Sequence, residues 1–242
     1  MRSRPHNFLN LFPRYEFPTT CQDNFYKEPD RIRKFALGLD FNNKQGFHPG
    51  LRSDELHTID KNFADQTARK LLSVFGDFEG CKYECSTFFQ KIYRFSSDPN
   101  DPVNTGWIHT DNETAISAVV YLSPDVGNHS GTSLYIPTRN ITPPRSDFSC
   151  LNIFGMNDVS NINDIKLFRE NIEEHNNQFE LTVEVKNAYN RAIVYSGNHF
   201  HSQTNYWTPN ENDFRLTQVF FFTNLEIYPE LSPNCRLDRY DF

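Results

Sequence analysis

Three short segments of the sequence carry side chains that bind metals or anions. In the first, GWIHTDNE, His109 and Asp111 stand two residues apart, just before an apolar run typical of a β-strand. The second, SGNHFHSQ, contains His199 and His201. Residues i and i+2 of an extended chain point to the same side, so we expect an imidazole and a carboxylate to converge on one ion.

The third segment, RLTQVFFF, opens the last Phe-rich run with Arg215 and Thr217 on one face. Two imidazoles and one carboxylate leave three positions of a metal ion open, which is the pattern by which non-haem Fe(II) binds a bidentate oxo acid and then dioxygen. A guanidinium supplies a forked, permanently charged partner for the far carboxylate of that acid. The order of the three segments therefore predicts a metal site beside an anion site.

Short strands are predicted to position these residues. Period-2 or compact apolar runs separated by Gly, Pro and Asn turns predict strands over 86–95, 115–122, 132–136, 179–185, 192–195 and 215–223. Within 179–185, alternation predicts one buried face that includes Leu181 and Val183. Helical spacing predicts helices over 28–37, 62–75 and 164–176, the last of them exposed, with Ile165, Phe168 and Ile172 on one side.

This arrangement predicts a mainly β (α+β) fold, a double-stranded β-helix of jelly-roll or cupin type with N-terminal supporting helices and one inserted helix. At 242 residues we expect a single domain. Residues 1–83 would form an N-terminal arm with the supporting helices, residues 84–225 the barrel core and residues 226–242 a C-terminal tail.

Composition excludes several classes of function. The net charge of −7 comes without a Lys/Arg cluster, which argues against nucleic acid as a partner. No apolar run is long enough for a membrane span or a signal peptide, so we expect a cytoplasmic protein. The five cysteines, Cys150 and Cys235 among them, are expected to be reduced thiols. Cys81 and Cys85 have ligand spacing for zinc, but no second pair accompanies them.

The sequence resembles the 2-oxoglutarate and Fe(II)-dependent dioxygenase superfamily, near prolyl 4-hydroxylase-like enzymes and an uncharacterised bacterial and phage branch. The resemblance rests on WIHTDNETAISAVVYL, GTSLYIP, HFHSQ and RLTQVFFF, with DNFYKEPDRIRKFAL and FHPGLRS upstream. It implies Fe(II), 2-oxoglutarate and dioxygen as reactants. It also implies a hydroxylase, acting on a C–H bond of a peptide, amino acid or small molecule, that releases succinate and carbon dioxide.

Site residues follow from the same resemblance. It assigns the metal to His109, Asp111 and His201. It assigns the distal carboxylate of 2-oxoglutarate to Arg215 and Thr217, with Tyr121 as a further contact. Tyr121 could equally be a core tyrosine, and Tyr93 could either line the pocket or serve packing alone.

Some alternatives stay open. His199 competes with His201, although the serine after His201 matches the family better; His199 would then support the site or contact substrate. A non-catalytic jelly-roll binding module, or a cupin-type metal enzyme that does not use 2-oxoglutarate, would share the fold. The oligomeric state cannot be read from the sequence.

Overall fold

Antiparallel β-sheets dominate the computed structural model, which describes residues 15–42, 50–76, 78, 81–111, 113–124, 130–138, 162–226 and 236–237. In chain order the elements are β1 (Tyr15–Glu16), β2 (Thr20–Gln22), α1 (Pro29–Leu37), β3 (Leu51–Arg52), α2 (Leu56–Ile59), α3 (Lys61–Leu72), β4 (Lys82–Ile92), a 3₁₀ turn (Pro102–Asn104), β5 (Ile116–Tyr121), β6 (Gly131–Pro137), α4 (Ile162–Asn176), β7 (Phe179–Lys186), β8 (Ala192–Ser196), β9 (Phe200–Gln203), β10 (Arg215–Glu226) and β11 (Arg236–Leu237).

The strands form one large and one small antiparallel sheet, and β1 pairs with β11 in a separate two-stranded ribbon. The six-stranded sheet has the order β2-β8-β5-β10-β4-β3, and the three-stranded sheet has the order β7-β6-β9. Leu134 of β6 packs against Tyr121, Ile193 and Tyr195 of the large sheet. The two sheets therefore contact each other face to face.

Helices cover the other face of the large sheet. Asp60 caps α3 by accepting a hydrogen bond from the Phe63 amide at 2.9 Å, and this helix buries its Ala64 and Leu71. Each buried leucine contributes about 1.5–3 kcal/mol to folding. Leu216 and Phe220 of β10 belong to the same core.

Strand β10 separates the helix-side core from the space between the sheets. Successive side chains of a strand point to opposite faces, so the neighbours of Leu216 and Phe220 along β10 point away from the helix-side core. Arg215, Thr217 and Val219 consequently point away from the helices, toward the small sheet. The same strand thus supplies both the core and the inter-sheet space.

The predicted mainly β fold with N-terminal helices and one inserted helix is confirmed. The helices and longer strands begin and end within a few residues of their predicted bounds, and the inserted helix packs through its fully buried Ile172. The short strands β1, β2, β3, β9 and β11 and the helix α2 were not predicted, because two to four residues are too few to show a period.

One prediction about burial is wrong. Leu181 and Val183 of β7 are 49% and 40% exposed, although their alternation predicts a buried face. β7 is the edge strand of the three-stranded sheet, and within the described chain nothing covers that part of it.

Other predictions lie outside the described residues. These are residues 1–14 of the arm, most of the tail, the side chains of Ile165 and Phe168, and the thiols of Cys150 and Cys235. No helix among the described residues is long and apolar enough to cross a lipid bilayer.

Candidate metal and anion site

Backbone pairing brings the two distant histidines together. His109 and His201 form an antiparallel bridge, in which the His109 amide donates to the His201 carbonyl at 3.0 Å and the His201 amide donates back at 2.8 Å. Residues directly opposite each other in such a pair point to the same face. Their imidazole centroids accordingly lie 4.4 Å apart.

Asp111 completes the cluster. Its amide donates to the Gly197 carbonyl at 2.9 Å, which fixes the segment after His109 against the end of β8. The carboxylate lies 3.6 Å from His109 Nε2 and 3.4 Å from His201 Nε2. One ligand atom from each of the three residues falls within 4.8 Å of the others, so the group has the size of a mononuclear metal site.

The tautomers of both histidines suit metal binding. His109 Nδ1 lies 2.7 Å from the Trp107 carbonyl, and His201 Nδ1 lies 2.9 Å from the His199 carbonyl. Because a carbonyl only accepts, each Nδ1 carries a proton, and in the neutral form of each ring Nε2 presents a lone pair toward Asp111. These backbone contacts hold both rings in the orientation that a metal needs.

The charges in the cluster favour a cation. Burial opposes ionisation of Asp111, but the charges of the imidazoles and a hydrogen bond from Ser117 outweigh it and hold its pKa well below the usual range. Burial lowers the pKa of His201 to about 4 against the charge of Asp111. Burial also acts to lower the pKa of His109, yet the hydrogen bond and charge of Asp111 raise it. At neutral pH the site therefore offers a carboxylate and at least one neutral imidazole.

Helix α4 supports the segment that carries His109. Asn176 accepts a hydrogen bond from the Ile108 amide at 3.1 Å and donates to the Gly106 carbonyl at 3.0 Å. His175 stacks on Trp107 with ring centroids 4.0 Å apart and planes 9° apart. The inserted helix thus fixes the backbone on which the first ligand stands.

A second feature is a buried cation that has no anionic partner among the described residues. Arg215 is 1% exposed, and its one side-chain hydrogen bond within the described part of the chain runs from Nη1 to the Gly131 carbonyl at 3.3 Å. Its Nε and Nη2 and the hydroxyl of Thr217 are buried with no hydrogen-bond partner among the described residues. Burial lowers the pKa of Arg215. Orphaned donors of this kind cost stability unless a ligand satisfies them, and their number and charge suit a carboxylate.

Tyr121 lies beside that cation. Its ring centroid is 5.9 Å from Arg215 Cζ, and its hydroxyl donates to Thr132 Oγ1 at 2.7 Å. Burial raises the pKa of Tyr121 to about 12, so the phenol stays protonated.

Strand β6 passes both the cation and the metal-type cluster. Leu134 is the register partner of His201, and Thr132 accepts a hydrogen bond from Tyr121, which lies beside Arg215. Two residues of strand rise, about 7 Å, separate Leu134 from Thr132.

Of the other predicted positions, His199 and Tyr93 lie away from the cluster. The Nε2 atom of His199 is 3.5 Å from Glu16 Oε1 at the surface, and only its carbonyl reaches His201. Tyr93 packs on Phe214, which adjoins the core under the helices, with centroids 5.7 Å apart. The described contacts thus give Tyr93 a packing position, and its place among the cofactor-binding residues stays a prediction.

The zinc alternative finds no support. Cys81 and Cys85 are free thiols, and neither joins a cluster of three ligand-type side chains within the described part of the chain.

Three residues that contact Asp111 or lie within reach of its charge were not predicted. Ser117 donates to Asp111 Oδ2 at 2.5 Å, and Gly197 accepts from its amide. Arg52 lies near enough for the charge of Asp111 to act on it. Ser117 lies in an apolar run and Arg52 in a two-residue strand, so neither stands out in the sequence. Gly197 lies in the segment SGNHFHSQ, which drew attention only through its histidines.

A family model described as a family of unknown function, DUF6445, matches residues 12–222. No protein with a curated description matches the sequence.

Among solved structures, the chain is similar to HygX from Streptomyces hygroscopicus with nickel and 2-oxoglutarate bound, at 12% identity over 86% of this chain and 83% of that chain, with a TM-score of 0.52. HygX with nickel, 2-oxoglutarate and hygromycin B bound gives 13% identity over 86% and 83% of the two chains, with a TM-score of 0.50. At these identities the likeness shows the fold alone, and it confirms the predicted jelly-roll type.

A Pseudomonas putida prolyl-4-hydroxylase matches at 14% identity over 86% of this chain and 92% of that chain, with a TM-score of 0.43. This likeness is too distant to support the predicted relation to prolyl 4-hydroxylase-like enzymes. The predicted relation to an uncharacterised bacterial and phage branch is not tested by these matches and stays a prediction.

Proposed function

The chain belongs to the DUF6445 family, and we propose that it is a non-haem Fe(II)- and 2-oxoglutarate-dependent oxygenase. The observation that carries the proposal is a buried Arg215, with two guanidinium nitrogens unpaired among the described residues, that faces the same inter-sheet space as a cluster of two imidazoles and one carboxylate. The cluster alone would suit many metal enzymes. The orphaned guanidinium adds a place for an acid of fixed reach, which a metal enzyme without an oxo acid does not need.

In this proposal His109, Asp111 and His201 hold the metal on one side, and Arg215 with Thr217 binds the far carboxylate of 2-oxoglutarate. When bound, Fe(II) and 2-oxoglutarate would supply the oxidising chemistry that hydroxylates a C–H bond with dioxygen and releases succinate and carbon dioxide. Asp111 fills the third protein position and favours hydroxylation over halide transfer.

The chain's own residues orient the reactants and exclude water. Arg215 and Thr217 donate to the distal carboxylate, so the acid enters in one direction. Tyr195 lies 4.7 Å from the His201 ring and belongs with Leu134 to the apolar cluster between the sheets, which keeps water from that side. The side chain of His109 is 49% exposed, so the opposite side of the cluster faces the opening through which substrate arrives.

The primary substrate in this proposal is a peptide or a small molecule.

Tyr121 adds bulk and a neutral hydroxyl beside the site for the 2-oxoglutarate carboxylate, and its hydroxyl is held by Thr132. We include it as a contact of the co-substrate carboxylate, secondary to Arg215.

The test is anaerobic addition of Fe(II) and then 2-oxoglutarate to the purified protein. We expect a visible metal-to-ligand absorption band that needs both, and succinate formation once dioxygen is admitted. A binding module would show neither signal, and a cupin-type metal enzyme would bind the metal without any response to 2-oxoglutarate. The second result would reject the 2-oxoglutarate assignment.

A further inference from the structure

A second arginine faces the inter-sheet space from the edge of the large sheet. Arg52 of β3 is the register partner of Gln90 on β4, and Gln90 is the partner of Thr217 on β10. Directly opposed residues of antiparallel strands point to the same face. Arg52 therefore projects to the same side as Thr217, although it stands two strands away.

The guanidinium of Arg52 extends toward the metal cluster. Its Cζ lies 5.4 Å from the ring centroid of Phe88 and 5.2 Å from that of Phe221. Phe221 is the register partner of Ser117, whose hydroxyl binds Asp111. The side chain thus starts level with the co-substrate end of the site, and its charged end lies near the metal end.

Arg52 is held in place but is not neutralised. Its Nε donates to Gln90 Oε1 at 3.3 Å, and this is its only side-chain hydrogen bond to a described residue. No carboxylate of the described chain lies within 4 Å of its guanidinium; the charge of Asp111 acts from further away. Two aromatic faces replace part of its hydration and leave its terminal nitrogens available.

The charge of Arg52 persists at neutral pH. Burial lowers its pKa to about 10, and the charge of Asp111 acts in the opposite direction. Asp111 is itself surrounded by two imidazoles and a hydroxyl. A cation in this position attracts an anion brought by a ligand.

Arg52 and Arg215 differ in access. Arg215 is 1% exposed and belongs to the closed end of the site, whereas Arg52 is only half-buried. A half-buried cation at the metal end can exchange its anion with solvent.

We propose that Arg52 binds an anionic group, a carboxylate or a phosphate, of the primary substrate and so places that substrate beside the metal cluster. The inference rests on the proposed oxygenase function and narrows the substrate to an acid or a phosphorylated compound. The forked guanidinium suits either group by paired hydrogen bonds.

The test places probe anions next to a paramagnetic metal. The protein is loaded with equimolar Mn(II) and saturating 2-oxoglutarate, and inorganic phosphate, acetate and neutral acetamide are added in turn. Relaxation of the phosphorus and methyl signals reports how closely each probe approaches the metal. We expect enhanced relaxation of phosphate and acetate and none of acetamide.

Variants assign the effect. In Arg52→Gln the relaxation enhancement should fall at least tenfold while the Kd of 2-oxoglutarate stays within twofold. Arg94→Gln is the matched control, because Arg94 is a partly buried arginine whose guanidinium, among the residues described, binds the backbone carbonyls of Thr208 and Pro209 alone. That variant should leave the enhancement unchanged.

Three results would overturn the proposal: no enhancement in the wild type, full enhancement in Arg52→Gln, or a tenfold loss of 2-oxoglutarate affinity in Arg52→Gln. The last result would show that Arg52 binds 2-oxoglutarate and not the primary substrate. If Arg52→Gln does not fold, Arg52→Lys carries the test, with an expected three- to tenfold weaker response, and an unchanged response rejects the assignment. If the protein bound no Mn(II), the proposed metal site would be rejected instead. Phosphate titration of the metal-free wild type and of Arg52→Gln would then test anion binding by Arg52, and equal phosphate affinities would reject it.

Discussion

His109 and His201 exchange both of their backbone hydrogen bonds, at 3.0 and 2.8 Å, so the peptide chain itself sets the distance between their imidazoles. The side chains do not need an ion to converge. Asp111 joins through another backbone bond, from its amide to the Gly197 carbonyl. The site is therefore built into the strand pairing.

Metal removal should accordingly leave the fold intact. We expect chelation to leave the far-ultraviolet circular dichroism spectrum unchanged. It should lower the free energy of unfolding only by the lost binding energy, and the melting temperature should fall accordingly. That energy is about 2.7 kcal/mol when the free metal stands at 100 times its Kd. Unfolding of the protein on chelation would contradict a preformed site.

His201 and His199 form a matched pair for mutation. His201→Ala removes a buried side chain whose Nε2 faces Asp111, and should weaken Fe(II) binding beyond the roughly 10–100-fold that loss of a supporting contact costs. His199→Ala removes a ring that faces Glu16 and should change the affinity less than threefold. Metal titration by calorimetry compares the two. Equal effects would mean that both imidazoles reach the ion.

Arg215→Met should change ligand binding and protein stability in opposite directions. Its guanidinium is buried, and two of its nitrogens have no partner in the described ranges, so an apolar side chain of similar length should stabilise the ligand-free protein by about 1–4 kcal/mol. The same change should abolish binding of 2-oxoglutarate and leave Fe(II) affinity unchanged. Thermal melts with and without 2-oxoglutarate measure both effects. A wild-type melting temperature that does not respond to 2-oxoglutarate would remove the acid from the proposal.

The sequence indicated the residues of the candidate site more directly than the strands that hold them. His109, Asp111 and Arg215 stand next to long apolar runs, so a period-2 pattern indicated where they lie and which way they point. His201 lies on β9, which is only four residues long, and could be chosen over His199 only through the family resemblance.

Arg52 was missed for a similar reason, since β3 contains two residues and its role depends on long-range pairing with β4. Leu181 and Val183 were misjudged because alternation reports a strand, while burial depends on what packs against it.

The pKa values predict how metal binding depends on pH. Burial acts to lower the pKa of His109, but Asp111 outweighs it and raises the value above 6.5, whereas the pKa of His201 is lowered to about 4. A metal must displace the proton of His109, so its affinity should rise with pH up to the pKa of His109 and level off above it. His201 should add a second dependence only near pH 4. Calorimetry from pH 5.5 to 8.5 checks the trend, and an affinity independent of pH over that range would exclude His109 as a ligand.

Gly197→Ala tests whether the backbone positions Asp111. An added Cβ would lie 2.1 Å from the Thr114 carbonyl oxygen, so the backbone must shift, and the shift acts on the carbonyl that binds the Asp111 amide. We expect a stability loss of about 1–3 kcal/mol, as for other overpacked sites, together with at least tenfold weaker metal binding. Gly38→Ala is the control, because its added Cβ would meet its nearest neighbour at an ordinary 3.5 Å, and it should leave metal affinity unchanged. Metal affinity is measured well below the melting temperature of each variant, where both proteins are folded. If Gly197→Ala lost stability but bound the metal as tightly as the wild type, Asp111 would owe its position to Ser117 and the histidines and not to this backbone contact.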